Sequence, residues 1–252
     1  MAEIILKAEH LKKAFISGKE MMTAVDDISF ELTEGESLGI VGESGSGKST
    51  LARLLTRLEY VTEGHIYLKG RDITRVKGKE LLQIYQEMQM VFQMPAESFD
   101  PRRTLGDGIG ESLSNMGIKQ KETGKKVEKL MKKCGLDPEF ARRYPYQVSG
   151  GQCQRAAIAR ALAVDPSILI CDEATSALDV TVQKQILELL LQLKKQEQLS
   201  FLFISHDLAL VQAFCDRVLV MYQGKMVEYG TPDQIINHPQ EEYTKRLIDS
   251  VL

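Results

Sequence analysis

No apolar run in this sequence approaches the ~20 residues that a membrane-spanning helix needs. The longest, around residues 168–171 and 201–204, have the length of strands. The N-terminus shows no basic-then-apolar leader pattern. The expectation is a cytosolic chain that reaches any membrane only through a partner. An excess of positive charge is also missing: the formal net charge is −3, so no global basic field recruits nucleic acid. Lys125, Lys126, Lys129, Lys132 and Lys133 form a local basic stretch. Apolar residues interrupt it at helical spacing, which reads as a solvated helix face. Cysteine is sparse. Cys134, Cys153, Cys171 and Cys215 make no C-x-x-C pair and no Cys/His group with zinc spacing, so four reduced thiols are expected.

What remains is ordinary for a globular protein. With 252 residues, 43% of them hydrophobic and 27% charged, the chain can bury one large core, with or without an inserted subdomain. The opening reads as strands: residues 4–6, the alternating run 28–32, and residues 37–41, which end at Gly42. Leu51, Leu54, Leu55 and Leu58 follow at i, i+3, i+4, i+7, the mark of an amphipathic helix over residues 50–58. A strand is expected at 64–68 and another at 90–92, with a helix over 79–87 between them. Residues 95–101 read as irregular. From about 105 to 163 the pattern is helical, broken by Gly and Pro and without strand signals, so it reads as a helical insertion. Strand–helix alternation then resumes: a buried strand at 168–171, a helix over 182–193, a strand at 200–205, and a hairpin whose arms, 218–221 and 226–229, flank Gln223-Gly224-Lys225.

Two stretches carry chemistry. Gly42-Glu43-Ser44-Gly45-Ser46-Gly47-Lys48-Ser49 matches G-x-x-x-x-G-K-[ST], between a buried strand and a helix. Glycines let the backbone aim successive N–H groups at phosphate oxygens. The helix that follows, with Thr50 in its first turn, adds the positive end of its dipole. Lys48 supplies a compact charge for the β- and γ-phosphates, and the Ser49 hydroxyl is a hard ligand for Mg²⁺. The loop establishes nucleotide binding without distinguishing a kinase, a GTPase or a motor. Further on, the apolar run 168–171 delivers two adjacent carboxylates, Asp172 and Glu173. Asp172 can hold Mg²⁺ through its water shell. Glu173 can polarise the attacking water, a role worth ~10²- to 10⁴-fold in rate.

Val148-Ser149-Gly150-Gly151-Gln152, followed by Cys153-Gln154-Arg155 and a helical run, closely resembles the signature of ABC ATPases, whose usual first residue is Leu. Ser-Gly-Gly at a helix start is an anion cradle or a plain helix cap. Other elements of that family stand in order. Gln93 resembles the glutamine that contacts Mg²⁺ and water and relays to the membrane partner. Ser176-Ala177-Leu178-Asp179 resembles the dimer-contact loop. His206 resembles the switch histidine at the γ-phosphate, and Phe15 the aromatic that stacks on adenine. The resemblance covers essentially the whole chain. It implies an α/β fold: a RecA-like P-loop core with an N-terminal antiparallel β subdomain, together spanning 1–94 and 164–230. It also implies an α-helical signature subdomain inserted at about 95–163 and a helical tail at 231–252, all in one ABC ATPase domain. ATP and Mg²⁺ are the implied cofactors, with Ser49, Gln93 and Asp172 on the metal and Lys48, Glu173 and His206 as the catalytic set. Ser149, Gly150, Gly151, Gln152 and Asp179 would act in trans on nucleotide held by a second ATPase subunit, a paralogue or a second copy, in a head-to-tail dimer.

Residues 92–102, with Pro95, Ser98, Pro101 and Arg102 in place and Met94, Phe99 and Asp100 departing, are similar to the dipeptide, oligopeptide and nickel importer subfamily. So are Arg142-Arg143-Tyr144-Pro145 and the tail His238-Pro239-Gln240-Glu241-Glu242-Tyr243-Thr244. That resemblance implies a peripheral subunit at the cytoplasmic membrane face, two integral permease subunits, an external binding protein, and peptides, nickel or a chelated metal as cargo. No iron–sulfur cluster is expected. The competing readings are a soluble ABC ATPase of translation or DNA repair, and a non-hydrolysing module. Neither a second cassette nor a long coiled-coil insertion is visible.

Overall fold

The computed structural model describes residues 3–18, 20–176 and 178–250. The chain divides into two compact units, residues 1–85 with 198–252, and residues 86–197.

The first unit opens with two long strands, β1 (Ile4–Ser17) and β2 (Glu20–Thr33), paired antiparallel. The short apolar stretches read from the sequence are fragments of this hairpin. Register shifts interrupt the pairing between residues 4 and 6 and between residues 8 and 14 of β1; around the second, His10 and Asp27 take positive φ of 49° and 56°. The shifts break the alternation that would have revealed the full strands. Local bonds hold the distortion: the His10 N–H donates to Ser29 Oγ at 2.8 Å, and His10 Nδ1 lies 2.7 Å from Asp27 Oδ1. Then come β3 (Ser37–Val41), fully buried, and α1 (Lys48–Leu55). This helix starts and stops earlier than its leucine spacing suggests, because Gly47 caps it in the left-handed region and Arg57, at φ 60°, leaves the helical region. Strands β4 (Glu63–Leu68) and β5 (Arg71–Asp72) complete a four-stranded antiparallel sheet in the order β2-β1-β4-β5. Helix α2 (Lys79–Glu87) closes this stretch.

The second unit begins with β6 (Met88–Val91) and a 3-10 turn at Pro95–Ser98, where the sequence reads as irregular. Helices α3 (Leu105–Asn115), α4 (Gln120–Lys133) and α5 (Gly150–Leu162) follow with no strand between them. They meet through one apolar face each: Leu105, Ile109 and Leu113 on α3, Val127, Leu130 and Met131 on α4, and an alanine-rich face of α5. Strand β7 (Ile168–Asp172) pairs parallel with β6, Met90 opposite Ile170 and Val91 opposite Cys171. Helix α6 (Val180–Glu197) ends the unit.

The chain then returns to the first unit. Strands β8 (Ser200–Ile204) and β9 (Arg217–Tyr222) flank β3 on either side, both parallel to it. Helix α7 (Leu208–Phe214) lies between them in sequence and presses Phe214 against Phe201 and Phe203, ring centroids 5.1 Å apart in each pair. Strand β10 (Lys225–Gly230) pairs antiparallel with β9 across Gln223 and Gly224. Both turn residues have positive φ, 47° and 82°, the geometry of a tight two-residue hairpin. Helices α8 (Pro232–Asn237) and α9 (Glu242–Asp249) end the described chain.

Candidate nucleotide site

The phosphate loop runs from the C-terminal end of β3 to the start of α1. Gly42 and Gly47 have φ of 149° and 105°, where L side chains are disfavoured. A Cβ on Gly42 would collide with the Met221 carbonyl of β9, and one on Gly47 with the Ala24 carbonyl of β2. The loop is therefore gripped from both sides by backbone. The Gly224 N–H adds a bond to the Ser46 carbonyl at 3.0 Å. Glu43, Ser44 and Gly45 are exposed, and Ser49 and Thr50 are half-buried in the first turn of α1. Lys48 is 5% exposed. Its ammonium donates to the carbonyls of Gly42 (2.7 Å) and Glu43 (2.8 Å) and to Ser46 Oγ (3.4 Å). Burying an ammonium is costly without partners, and the loop itself supplies them.

The same unit carries two further predicted residues. His206 is exposed at the exit of β8, one residue before Asp207, whose carboxylate accepts from the N–H groups of Ala209 and Leu210 and caps α7. Phe15 lies half-buried on β1 opposite Met22. Met22 is two residues along β2 from Ala24, which touches Gly47, so one hairpin supports the loop and presents the aromatic ring. Lys13 Nζ sits 4.8 Å from that ring's centroid.

In the second unit the parallel pairing of β6 and β7 brings two predicted segments out at one edge. Asp172, 8% exposed, ends β7. Glu173 follows at φ 48°, a left-handed conformation that costs a non-glycine residue roughly 1–2 kcal/mol. The turn is held by Ser176, whose N–H and hydroxyl donate to the Glu173 carbonyl at 3.1 and 3.0 Å. Gln93 Nε2 in turn donates to Ser176 Oγ at 3.1 Å. Gln93 and Glu173 are thus linked through one serine hydroxyl, a bridge that the sequence reading did not anticipate. Ala177 of the dimer-contact loop lies outside the described residues.

The signature forms the start of α5. Ser149 is its N-cap: Ser149 Oγ accepts from the Gln152 N–H (3.3 Å) and Gln152 Oε1 accepts from the Ser149 N–H (2.9 Å), a reciprocal capping box. Ser149 and Gly150 are exposed. Gly151 is buried, and a Cβ there would sit 2.5 Å from Val182 Cγ1 on α6. Asp179 caps α6, accepting from the Val182 N–H at 3.0 Å. Two contacts that sequence reasoning missed join distant segments. Arg160 of α5 donates to the Ser98 carbonyl and to Ser98 Oγ, with its guanidinium 4.3 Å from the Phe99 ring centroid. In the first unit, the Glu43 N–H donates to Tyr243 Oη at 3.0 Å. The tail motif containing Tyr243 was visible in the sequence, but nothing in it pointed to the loop.

The donor set suits a nucleotide and a hard cation. Within the first unit, positive-φ glycines shape a cradle, one buried ammonium stands in it, and the Ser49 hydroxyl lies in the adjoining helix turn; the second unit carries the Gln93 amide and the Asp172 carboxylate at its own strand ends. The cysteines do not contribute. All four are buried thiols outside any disulfide, and burial pushes the thiols of Cys134 and Cys171 up to about 12 and that of Cys153 up to about 11.

Phosphate loop, strand-end acids and signature helix on this α/β scaffold define an ABC-type P-loop ATPase cassette. The family model described as "ABC transporter" matches residues 25–176, and the chain belongs to that family. It is 44% identical over 254 residues to the oligopeptide transport ATP-binding protein OppF of Bacillus subtilis, covering 100% of this chain and 83% of that protein. It is 44% identical to the dipeptide transport ATP-binding protein DppF of Haemophilus influenzae, covering 95% and 74%. Among solved structures, the ATP-binding cassette MJ0796, a dimer in a post-hydrolysis state bound to ADP and Pi, superposes with a TM-score of 0.82 at 29% identity, covering 90% of this chain and 99% of that one.

Proposed function

We propose that this chain is the ATP-hydrolysing subunit of an importer that takes up small peptides. The observation that carries the reading is the linked set Gln93–Ser176–Glu173 beside Asp172, in a chain that also holds an intact phosphate loop. A non-hydrolysing module would have no need of two adjacent carboxylates, Asp172 and Glu173, at that strand end. The relatives are named for oligopeptide and dipeptide transport, which supports peptides over nickel or a chelated metal as cargo. The chain acts as one ABC ATPase domain, with its helical signature subdomain at about 95–163.

Each residue then has a task. The N–H groups of the loop from Glu43 to Thr50 and the Lys48 ammonium bind the phosphates, and Phe15 stacks on adenine. For the Lys48 ammonium, phosphate oxygens replace the carbonyls of Gly42 and Glu43. Glu173 orients the attacking water and takes its proton. His206 contacts the γ-phosphate and senses its departure. Mg²⁺, when bound, neutralises phosphate charge, and Ser49, Gln93 and Asp172, the last through water, are the residues that would hold it. Ser149, Gly150, Gly151, Gln152 and Asp179 complete the site of a second ATPase subunit, a paralogue or another copy, in a head-to-tail dimer; the dimeric state of a solved relative supports this. No helix among the described residues is long and apolar enough to cross a membrane. As an importer subunit the chain works peripherally at the cytoplasmic face on two permease subunits, fed from outside by a binding protein.

Glu173→Gln tests the reading. The variant is expected to bind ATP and to lose turnover by about 10²-fold or more. Normal ATPase activity of that variant in the assembled complex would refute it.

A further inference from the structure

We propose that Tyr243, in the C-terminal helix, is a positioning residue of the nucleotide site: its hydroxyl holds the Gly42–Glu43 peptide of the phosphate loop in the orientation that phosphate binding requires. The inference rests on the reading of that loop as the phosphate cradle.

Helix α9 buries Tyr243, Thr244, Leu247 and Ile248 on one face. The Tyr243 ring stacks on Tyr222 at the end of β9, centroids 4.1 Å apart, which fixes where its hydroxyl points. That hydroxyl accepts the Glu43 N–H at 3.0 Å. The carbonyl of the same peptide unit, that of Gly42, accepts from Lys48 Nζ at 2.7 Å. One peptide plane is therefore pinned at both poles, by Lys48 at its oxygen and by Tyr243 at its nitrogen.

The two holds have different fates. When Lys48 turns to phosphate, the Gly42 carbonyl gives up its ammonium. Gly42, at φ 149°, has no Cβ to resist rotation of the plane. The bond to Tyr243 does not involve Lys48 and persists. A plane free to rotate would move the Glu43 carbonyl and the N–H groups after it, the groups that form the cradle. The backbone grips at Met221 and Ala24 are available to any sequence. Tyr243 is a side-chain hold supplied from 200 positions away.

The test uses the full chain and calorimetric titration with ADP and ATP. Tyr243→Phe keeps the ring, its stacking and its burial, and removes only the acceptor. We expect affinity for both nucleotides to fall by about two- to ten-fold, the worth of one hydrogen bond. In the assembled complex, KM for ATP should rise by the same factor with kcat unchanged. Thr244→Val is the control: it sits on the same helix, is fully buried, and its hydroxyl has no partner, so its affinity should equal that of the wild type. Wild-type affinity in Tyr243→Phe, with or without a lower melting temperature, overturns the proposal. So does an equal loss in Thr244→Val, which would make helix packing rather than the hydroxyl responsible. A wild-type chain that binds no adenine nucleotide would instead bring down the reading of the loop itself.

Discussion

Replacing Arg160 by Met should loosen the segment that follows Gln93 from the signature helix, at a cost that can be worked out from its contacts. Arg160 makes two hydrogen bonds to Ser98, at the carbonyl and at Oγ, and lies 4.3 Å over the Phe99 ring. Hydrogen bonds from a charged donor contribute about 1.5–3 kcal/mol each; Ser98 is half-buried, which argues for the low end. The ring contact adds about 0.5–1 kcal/mol. Against this stands the burial of the guanidinium, which pulls its pKa below the ordinary value and which Met does not incur. The balance is a loss of about 2–3 kcal/mol. At about 2–4 °C per kcal/mol for a chain of this size, the melting temperature should fall by roughly 5–10 °C.

The assay is urea unfolding followed by circular dichroism, with three companions to Arg160→Met. Arg160→Lys keeps the charge but not the planar fork, and should lose about half as much. Phe99→Leu removes the ring face, and the double variant closes a cycle whose coupling should be about 0.5–1 kcal/mol. Because Ser98 and Phe99 lie a few residues beyond Gln93, ATPase activity in the assembled complex should fall several-fold in Arg160→Met, with nucleotide affinity retained. The reasoning is refuted if Arg160→Met unfolds at the wild-type urea concentration. That result would mean that the burial cost of the charge cancels everything it holds.

Two further outcomes follow from the geometry. Burial raises the pKa of Glu36, but bonds from Arg217 and from the Thr33 N–H and hydroxyl outweigh it and leave the carboxyl below its ordinary 4.5. Its contribution is therefore fully present above about pH 4.5 and is lost as pH falls through the lowered value. Urea midpoints should drop on acidification through that window, and Glu36→Gln, about 1.5–3 kcal/mol less stable at pH 7, should flatten that dependence. At the signature, Ser149→Asp keeps a good N-cap and puts a negative charge where phosphate is expected. Thermal stability should stay near that of the wild type while ATPase activity in the complex collapses; activity retained would reduce Ser149 to a cap.

The phosphate loop and the strand-end acids were legible because their chemistry is contiguous in the sequence: eight residues for one, two for the other, each beside an apolar run. The helical stretch from 105 to 163 was legible from its missing strand signals. The long β1–β2 hairpin was not, since bulges at His10 and Asp27 interrupt the period of two on which strand recognition depends. The start of α1 was misplaced because leucine spacing reports a buried face, whereas the helix begins where Gly47 leaves the left-handed region. Bridges such as Ser176 between Gln93 and Glu173, or Tyr243 beneath Glu43, join segments that only the folded backbone brings together. No local pattern encodes them.

The site residues also differ in how far their placement argues for function. Ser149 and Asp179 satisfy the ends of α5 and α6, so a structural need accounts for each of them in a single chain. Lys48 and Glu173 are different. The Lys48 ammonium is buried among carbonyls of its own loop, and Glu173 takes a left-handed φ of 48° just past its strand; neither caps a helix. Capping accounts for Ser149 and Asp179 however well they match a motif, whereas the proposed tasks of Lys48 and Glu173 rest on the phosphate-loop and strand-end motifs that contain them. The trans half rests on the family and on substitutions, such as Ser149→Asp, that spare the cap and spoil the anion site.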